Sequence, residues 1–172
     1  FITELLSAEH RISLPDIIYT LSCLLLDRYC CDRKLSEKFK TEYGRTHNFV
    51  HKFAQVVLPE EFDLLGTVYQ SFLTEGVKNS TGSYYTERSV AQELLDSLEA
   101  KPGASFLDPC CGSGTFLILA QEMGLKICGM DSDPIAGMIA KANLILAGAT
   151  EYPDVRVTDF VKIGRASCRE RV

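Results

Sequence analysis

The sequence predicts an α/β fold: an incomplete doubly wound parallel sheet, preceded by an α-helical region. Three observations carry that expectation. From residue 105 onward, apolar runs of strand length alternate with helical patterns in the order strand, helix, strand, helix, strand, which implies crossover connections and parallel pairing. Three carboxylates, Asp108, Asp131 and Asp159, each stand where one of those strands ends. Ahead of residue 77, apolar residues recur at three-to-four spacing with no strand pattern.

Ser13-Leu14-Pro15 is a helix start, and Ile17, Ile18, Leu21, Leu24 and Leu25 give that helix an apolar stripe. The charged segment from Leu35 to Phe53 reads as an amphipathic helix. A clearer helix opens at Pro59, with Glu60 and Glu61 in the first turn where the dipole favours acids, and runs through Phe62, Leu65, Tyr69 and Phe72 to Gly76. These helices read as packing elements without chemistry of their own. At Val77 the composition changes, and a polar loop (Lys78 to Ser83) leads into Tyr84, Tyr85 and Thr86. Thr86 is placed to cap a helix from Glu87 to Glu99 that buries Val90, Leu94, Leu95 and Leu98. After the turn at Pro102-Gly103 come a strand Ser105 to Leu107, a helix Gly114 to Met123 closed by Gly124, and a strand Ile127 to Met130. A helix Pro134 to Leu146 capped by Asp133, and a strand Val155 to Thr158, complete the pattern.

Composition sets outer bounds. The 172 residues carry 18 Lys+Arg against 23 Asp+Glu, a formal charge of −5, with 46% hydrophobic and 24% charged residues. That is a globular composition, and it excludes disorder and collagen-like structure. The longest apolar stretch, around Leu21 to Leu26, falls short of the roughly 18 residues a membrane helix needs. An acidic chain is a poor match for a nucleic-acid backbone, so any grip on nucleic acid lies elsewhere. Seven cysteines without a Cys-x-x-Cys fit reduced thiols in a cytoplasm better than a disulfide framework or a zinc ribbon. His47 and His51, four apart with no second ligand pair, read as a solvated helix surface rather than a metal site. The chain begins at Phe1 rather than Met, which reads as a fragment of a longer frame. Its last ten residues, Ile163 to Val172, resemble the translation of a sequencing-library adapter; removing their three Arg and one Glu leaves 15 basic against 22 acidic residues, a charge of −7. The alternative is a natural basic tail that binds an acidic partner. Three segments follow: a helical region 1–76, an α/β region 77–162 and the tail 163–172.

In open parallel sheets ligands bind beyond the carboxyl ends of the strands, so Asp108, Asp131 and Asp159 would line one pocket. The loop after the first strand is Asp108-Pro109-Cys110-Cys111-Gly112-Ser113-Gly114-Thr115-Phe116. Gly112 and Gly114 permit a tight turn and let a ligand approach main-chain N–H groups at the helix start. A dinucleotide fingerprint wants a third glycine where Leu117 stands, and no Gly-Lys-Ser/Thr follows, which disfavours a nicotinamide enzyme and excludes a P-loop. What survives is a loop for a ligand with little phosphate, beside an acid able to pair with an amine. Asp131 lies 23 positions after Asp108, where an acid accepts hydrogen bonds from ribose hydroxyls. Asp159-Phe160 offers an acceptor for an exocyclic amino group beside a ring that can stack on a purine. An amine, a ribose and an adenine without phosphate describe S-adenosylmethionine.

Four motifs in order, Gly82-Ser83-Tyr84-Tyr85-Thr86, Phe106 to Leu117, Gly129-Met130-Asp131-Ser132-Asp133-Pro134 and Thr158-Asp159-Phe160, resemble the amino-terminal half of the N6-adenine-specific DNA methyltransferases of type I and type IIG restriction–modification systems. The resemblance covers about Pro59 to Lys162. It implies a Rossmann-like methyltransferase domain, a site-specific adenine methyltransferase activity and S-adenosylmethionine as cofactor. By the same resemblance Tyr84, Tyr85 and Thr86, with Asp108, Gly112, Ser113 and Gly114, surround the methionine part, Asp131 holds the ribose, and Asp159 with Phe160 holds the adenine. It also implies double-stranded DNA as substrate and a specificity subunit or fused specificity domain as partner. Glu87 stands where the family usually has Pro.

The family's catalytic Asn/Asp-Pro-Pro-Tyr/Phe motif is not among these residues, so no catalytic residue is assigned. The adenine N6 lone pair is delocalised into the ring, and transfer needs acceptors that orient the amino group plus an aromatic face for the flipped base. The 172-residue chain is therefore expected to bind the cofactor weakly or not at all and not to methylate DNA. Two other readings stay open: a methyltransferase acting on RNA or on a protein glutamine, and a non-catalytic assembly subunit. Tyr84-Tyr85-Thr86 ahead of the first strand favours the DNA enzymes over the former.

Overall fold

The computed structural model describes residues 13–44, 63–73 and 86–162. Tyr84 and Tyr85, the two histidines at 47 and 51, the tail 163–172 and the ends of two expected helices lie outside them. Helix α1 spans Leu14–Tyr29, with Ser13 at its N-cap and Pro15 and Asp16 in the first turn, as the sequence suggests. Ile17, Ile18, Leu21, Leu25 and Leu26 are buried. Helix α2, Arg33–Tyr43, starts where Asp32 accepts from the Lys34 and Leu35 N–H groups, and buries Leu35 and Phe39. Helix α3, Leu64–Phe72, is capped by Asp63, which accepts from the Gly66 N–H at 2.8 Å.

Helix α4, Arg88–Asp96, differs from expectation in two ways. Its N-cap is Glu87 rather than Thr86, and no side chain makes a capping bond. Its buried face is Ala91 and Leu95, while Val90, Leu94 and Leu98 are exposed. The small Ala91 side chain lets α4 close on the next helix, where Leu95 meets Leu119 and Phe116, and this turns the 90/94/98 stripe to solvent.

Strands β1 (Ser105–Asp108), β2 (Lys126–Asp131) and β3 (Val155–Val157) form one sheet in the order β1-β2-β3. Both pairings are parallel, with Asp108 opposite Gly129 and Asp131 opposite Val157. The crossovers are helices α5 (Thr115–Glu122) and α6 (Pro134–Leu146). Parallel register therefore brings the carboxyl ends of all three strands to one edge, with the loop that follows each.

Helix α6 is apolar over most of its surface because it is packed on both sides. Ala140 and Leu144 join Leu117, Ile118 and Val155 over the sheet, with Phe106 and Ile127 packed against them. Met138, Ile139, Ala142 and Ile145 join Ile17, Leu21, Phe39, Leu65 and Val68 of α1 to α3. A polar clip reinforces that second junction. The nearly buried Lys141 Nζ donates to Glu42 Oε1 at 2.6 Å, the Tyr152 hydroxyl donates to Glu42 Oε2, and the Lys38 ammonium lies 4.4 Å from the centre of the Tyr152 ring. Among the described residues no helix is long and apolar enough to cross a membrane.

Candidate functional site at the carboxyl ends of the strands

The loop leaving β1 is folded by its own short-range bonds. Asp108 Oδ1 accepts from the Cys110 N–H at 3.1 Å, the turn typical of Asp, and the Gly114 N–H donates to the Cys111 carbonyl at 2.8 Å. Gly112 and Gly114 sit at φ of +53° and +93°, in the left-handed region that glycine occupies without penalty. At Gly114 space is short as well, since a Cβ there would lie 3.3 Å from both Cα and Cβ of Ala140. The first turn of α5 thus rests directly on the backbone of α6.

Two main-chain donors tie this loop to the end of β2. The Cys111 N–H donates to the Met130 carbonyl at 2.9 Å, and the Gly112 N–H donates to Asp131 Oδ2 at 2.8 Å. Asp131 Oδ1 in turn accepts from the Asp133 N–H at 2.9 Å, and its carbonyl accepts from the Thr158 N–H at 2.7 Å. Asp131 is the knot that holds the ends of all three strands. Each of its carboxylate oxygens keeps a second lone pair for a hydroxyl ligand. Asp133 caps α6 as the sequence suggests, accepting from the Ile135 N–H at 2.8 Å.

Of the residues assigned from sequence, the structure brings together Asp108, Gly112, Ser113, Gly114 and Asp131. Asp159 is close enough for its charge to reach the same loop. Its own carboxylate is engaged, accepting from the Val161 N–H at 3.0 Å and lying 3.3 Å from the Lys162 ammonium. Phe160 is exposed beside it. Thr86 is exposed at the start of α4, and Tyr84 and Tyr85 fall outside the described residues.

The electrostatics of the site are lopsided. Burial, and then the charge of Asp131, push the Asp108 carboxyl above the usual carboxylate value against the pull of the Cys110 N–H. Burial followed by the charges of Asp131, Asp108 and Asp159 pushes the Cys110 thiol up, and the Cys111 thiol rises for related reasons. These vicinal thiols are therefore held as neutral, unreactive groups. Lys162 offsets the charge of Asp159, and the negative field left by Asp108 and Asp131 favours a ligand carrying positive charge. Within the loop, Ser113 is 1% exposed, and its Oγ is buried without a hydrogen-bond partner. A buried hydroxyl left unpaired is costly unless a bound molecule satisfies it.

Asp108 carries a prediction. An acid whose folded value is raised contributes stability only below its unfolded value, and loses it as pH rises through the folded value. At neutral pH the ionised carboxylate is thus a net cost. Asp108→Asn is expected to raise Tm at pH 7 by a few degrees, with the gain vanishing toward pH 3, in thermal melts followed by circular dichroism. A melting temperature that falls at pH 7 would show that the carboxylate stabilises the loop.

Sequence reasoning passed over Asn143, Asp63 and Tyr69. Asn143 is buried in α6, and its Nδ2 donates to the Ser113 carbonyl at 3.0 Å and to Asp63 Oδ1 at 2.8 Å. The Tyr69 hydroxyl donates to Asp133 Oδ2 at 2.5 Å. One signal was available: an Asn amid the apolar run Ala142-Asn143-Leu144 must find partners if the helix is buried.

Compared with known proteins, residues 60–162 match the N-6 DNA Methylase family. Over 125 residues the chain is 37% identical to the type I restriction enzyme MjaIX methylase subunit of Methanocaldococcus jannaschii, which covers 64% of this chain and 22% of that protein. It is 36% identical over 102 residues to the type II methyltransferase M.VspI of a Vibrio species, covering 56% of this chain and 25% of the relative. The crystal structure of a modification subunit assigned to a type I restriction enzyme of Vibrio vulnificus YJ016 superimposes with a TM-score of 0.50 at 21% identity, over 73% of this chain and 31% of that one. At that identity the likeness speaks to the fold. The chain spans about a quarter of the length of these curated relatives.

Proposed function

The chain belongs to the N-6 DNA methylase family, and from that premise we propose that it is the S-adenosylmethionine-binding half of a methyltransferase that modifies adenine N6 in DNA within a restriction–modification system. The observation that carries the reading is the joining of Asp108, the Gly112-Ser113-Gly114 loop and Asp131 at one sheet edge, with the negative field of the two carboxylates and a buried, unpaired Ser113 hydroxyl. These groups fit the cofactor. Asp108 and the loop face its ammonium and sulfonium charges, Ser113 Oγ has a free hydrogen-bonding capacity, and Asp131 has lone pairs for the ribose hydroxyls. Tyr84, Tyr85 and Thr86 are assigned to the methionine part, and Asp159 with Phe160 to the adenine.

When bound, the cofactor supplies an electrophilic methyl group on sulfur. Asp108, the Gly112-Ser113-Gly114 loop and Asp131 would hold it at the strand ends and set its orientation there. Orienting the target amino group falls to an Asn/Asp-Pro-Pro-Tyr/Phe segment outside these residues, and sequence recognition in double-stranded DNA falls to a specificity subunit or domain. The chain's free cysteines fit a reducing cytoplasm.

The test is to extend the source reading frame past Lys162, express the longer protein and supply it with tritium-labelled S-adenosylmethionine and, in parallel, duplex DNA, RNA or a cell-extract protein fraction. Label recovered as N6-methyladenine is expected. Label in RNA or in a protein glutamine would overturn the substrate, and a frame that lacks the catalytic motif would turn the reading toward an assembly subunit.

A further inference from the structure

We propose that helix α3 is a positioning element for the ligand loop, acting through Tyr69 on Asp131 and through Asp63 and Asn143 on Ser113. Two hydrogen-bonded chains leave α3 and end on adjacent residues of the same loop. In the first, the Tyr69 hydroxyl donates to Asp133 Oδ2, the Asp133 N–H donates to Asp131 Oδ1, and Asp131 Oδ2 receives the Gly112 N–H. In the second, Asp63 Oδ1 receives one N–H of the Asn143 amide, whose Nδ2 also donates to the Ser113 carbonyl. The contacts bridge 64 and 80 residues of sequence, so they are tertiary clamps and not local turns.

A separate observation shows that the second clamp is specified. Gly66 lies inside α3, where glycine is the poorest ordinary helix former, and it has no positive φ to excuse it. A Cβ at that position would stand 2.2 Å from Asp63 Oδ2. The glycine leaves room for the carboxylate that caps α3 and holds Asn143. Asn143 is 6% exposed and gives both of its N–H groups to these acceptors, so its amide plane is fixed from two directions. Ser113 and Gly112 are thereby held by groups from a helix whose apolar face alone would account for its packing.

The meaning for cofactor affinity rests on the function proposed above, whereas the mechanical coupling does not. Tyr69→Phe keeps the buried ring and removes only the hydroxyl. Gly66→Ala improves helix propensity while displacing Asp63. In the 172-residue chain, backbone amide exchange read by NMR is expected to speed up tenfold or more at Gly112 and Asp133 in Tyr69→Phe, and at Gly112 and Gly114 in Gly66→Ala, with α1 amides within twofold of wild type. Titration of the protein extended past Lys162 with S-adenosylhomocysteine should show about tenfold weaker binding in both variants than in wild type. Unchanged loop exchange, equal acceleration throughout the chain, or uniformly fast exchange already in wild type would each overturn the proposal. If wild type protects the loop amides and the variants loosen them while S-adenosylhomocysteine binds none of the three, the positioning stands and the cofactor assignment fails.

Discussion

Asp131→Ala is expected to destabilise the chain by about 2–4 kcal/mol, because it strips the acceptor from two main-chain donors at once. Hydrogen bonds to a charged acceptor contribute about 1.5–3 kcal/mol each, about 3–6 for two, and the half-buried setting of the Gly112 and Asp133 N–H groups, which water can reach once the carboxylate is gone, lowers the net loss to about 2–4 kcal/mol. Asp131→Asn keeps one carbonyl oxygen and loses the charge, so it should fall between wild type and alanine. Urea denaturation supplies the three stabilities, with the slope unchanged if the native state keeps its compactness. In the protein extended past Lys162, binding of S-adenosylhomocysteine should follow the same order, with alanine at least tenfold weaker than wild type. An alanine variant within about 0.5 kcal/mol of wild type, the scatter of ordinary surface changes, would mean that the carboxylate does not join the strand ends.

Gly114→Ala is the second large effect, expected at about 2–4 kcal/mol. Part is conformational, since a side chain at φ +93° is strained by about 1–3 kcal/mol. The rest is steric, because the neighbour 3.3 Å away includes the Ala140 Cα, a backbone atom that cannot rotate aside. The two parts separate experimentally. Gly103 and Gly148 have φ of +84° and +85° with nothing within 4 Å of an added Cβ, so Gly103→Ala and Gly148→Ala report the conformational part alone. Their shortfall relative to Gly114→Ala in urea melts measures how tightly α5 sits on α6. Equal losses at all three glycines would remove the steric argument.

The α/β core was legible because its signals are local. Asp133 and Pro134 announce α6, and the helix runs from Pro134 to Leu146 as expected. The strands were found to within a residue or so, since short apolar runs between turns leave little freedom. What could not be read depends on partners distant in the chain. Val90, Leu94 and Leu98 look as suitable for burial as Leu95, and only contact with Phe116 and Leu119 decides the face. Tyr69 belongs equally to the apolar stripe of α3, and nothing nearby in sequence points to Asp133. At the site, the order Asp108, Asp131, Asp159 was visible, but not that each carboxylate oxygen of Asp131 accepts one backbone N–H while Asp159 pairs with Lys162. Hydrogen-bond occupancy is a property of the folded arrangement.

The double packing of α6 has a bearing on where this polypeptide can be cut. The change in composition at residue 77 invites a division there, yet a piece beginning at that point would leave Met138, Ile139, Ala142 and Ile145 facing water along one side of a helix. Those four side chains form a continuous oily strip of the kind that drives self-association. It would also strand the Lys141 ammonium without Glu42 and the Asn143 amide without Asp63. A shortened polypeptide that keeps α1 to α3 has a dry interior on both sides of its central helix; one that omits them inherits a surface suited to aggregation.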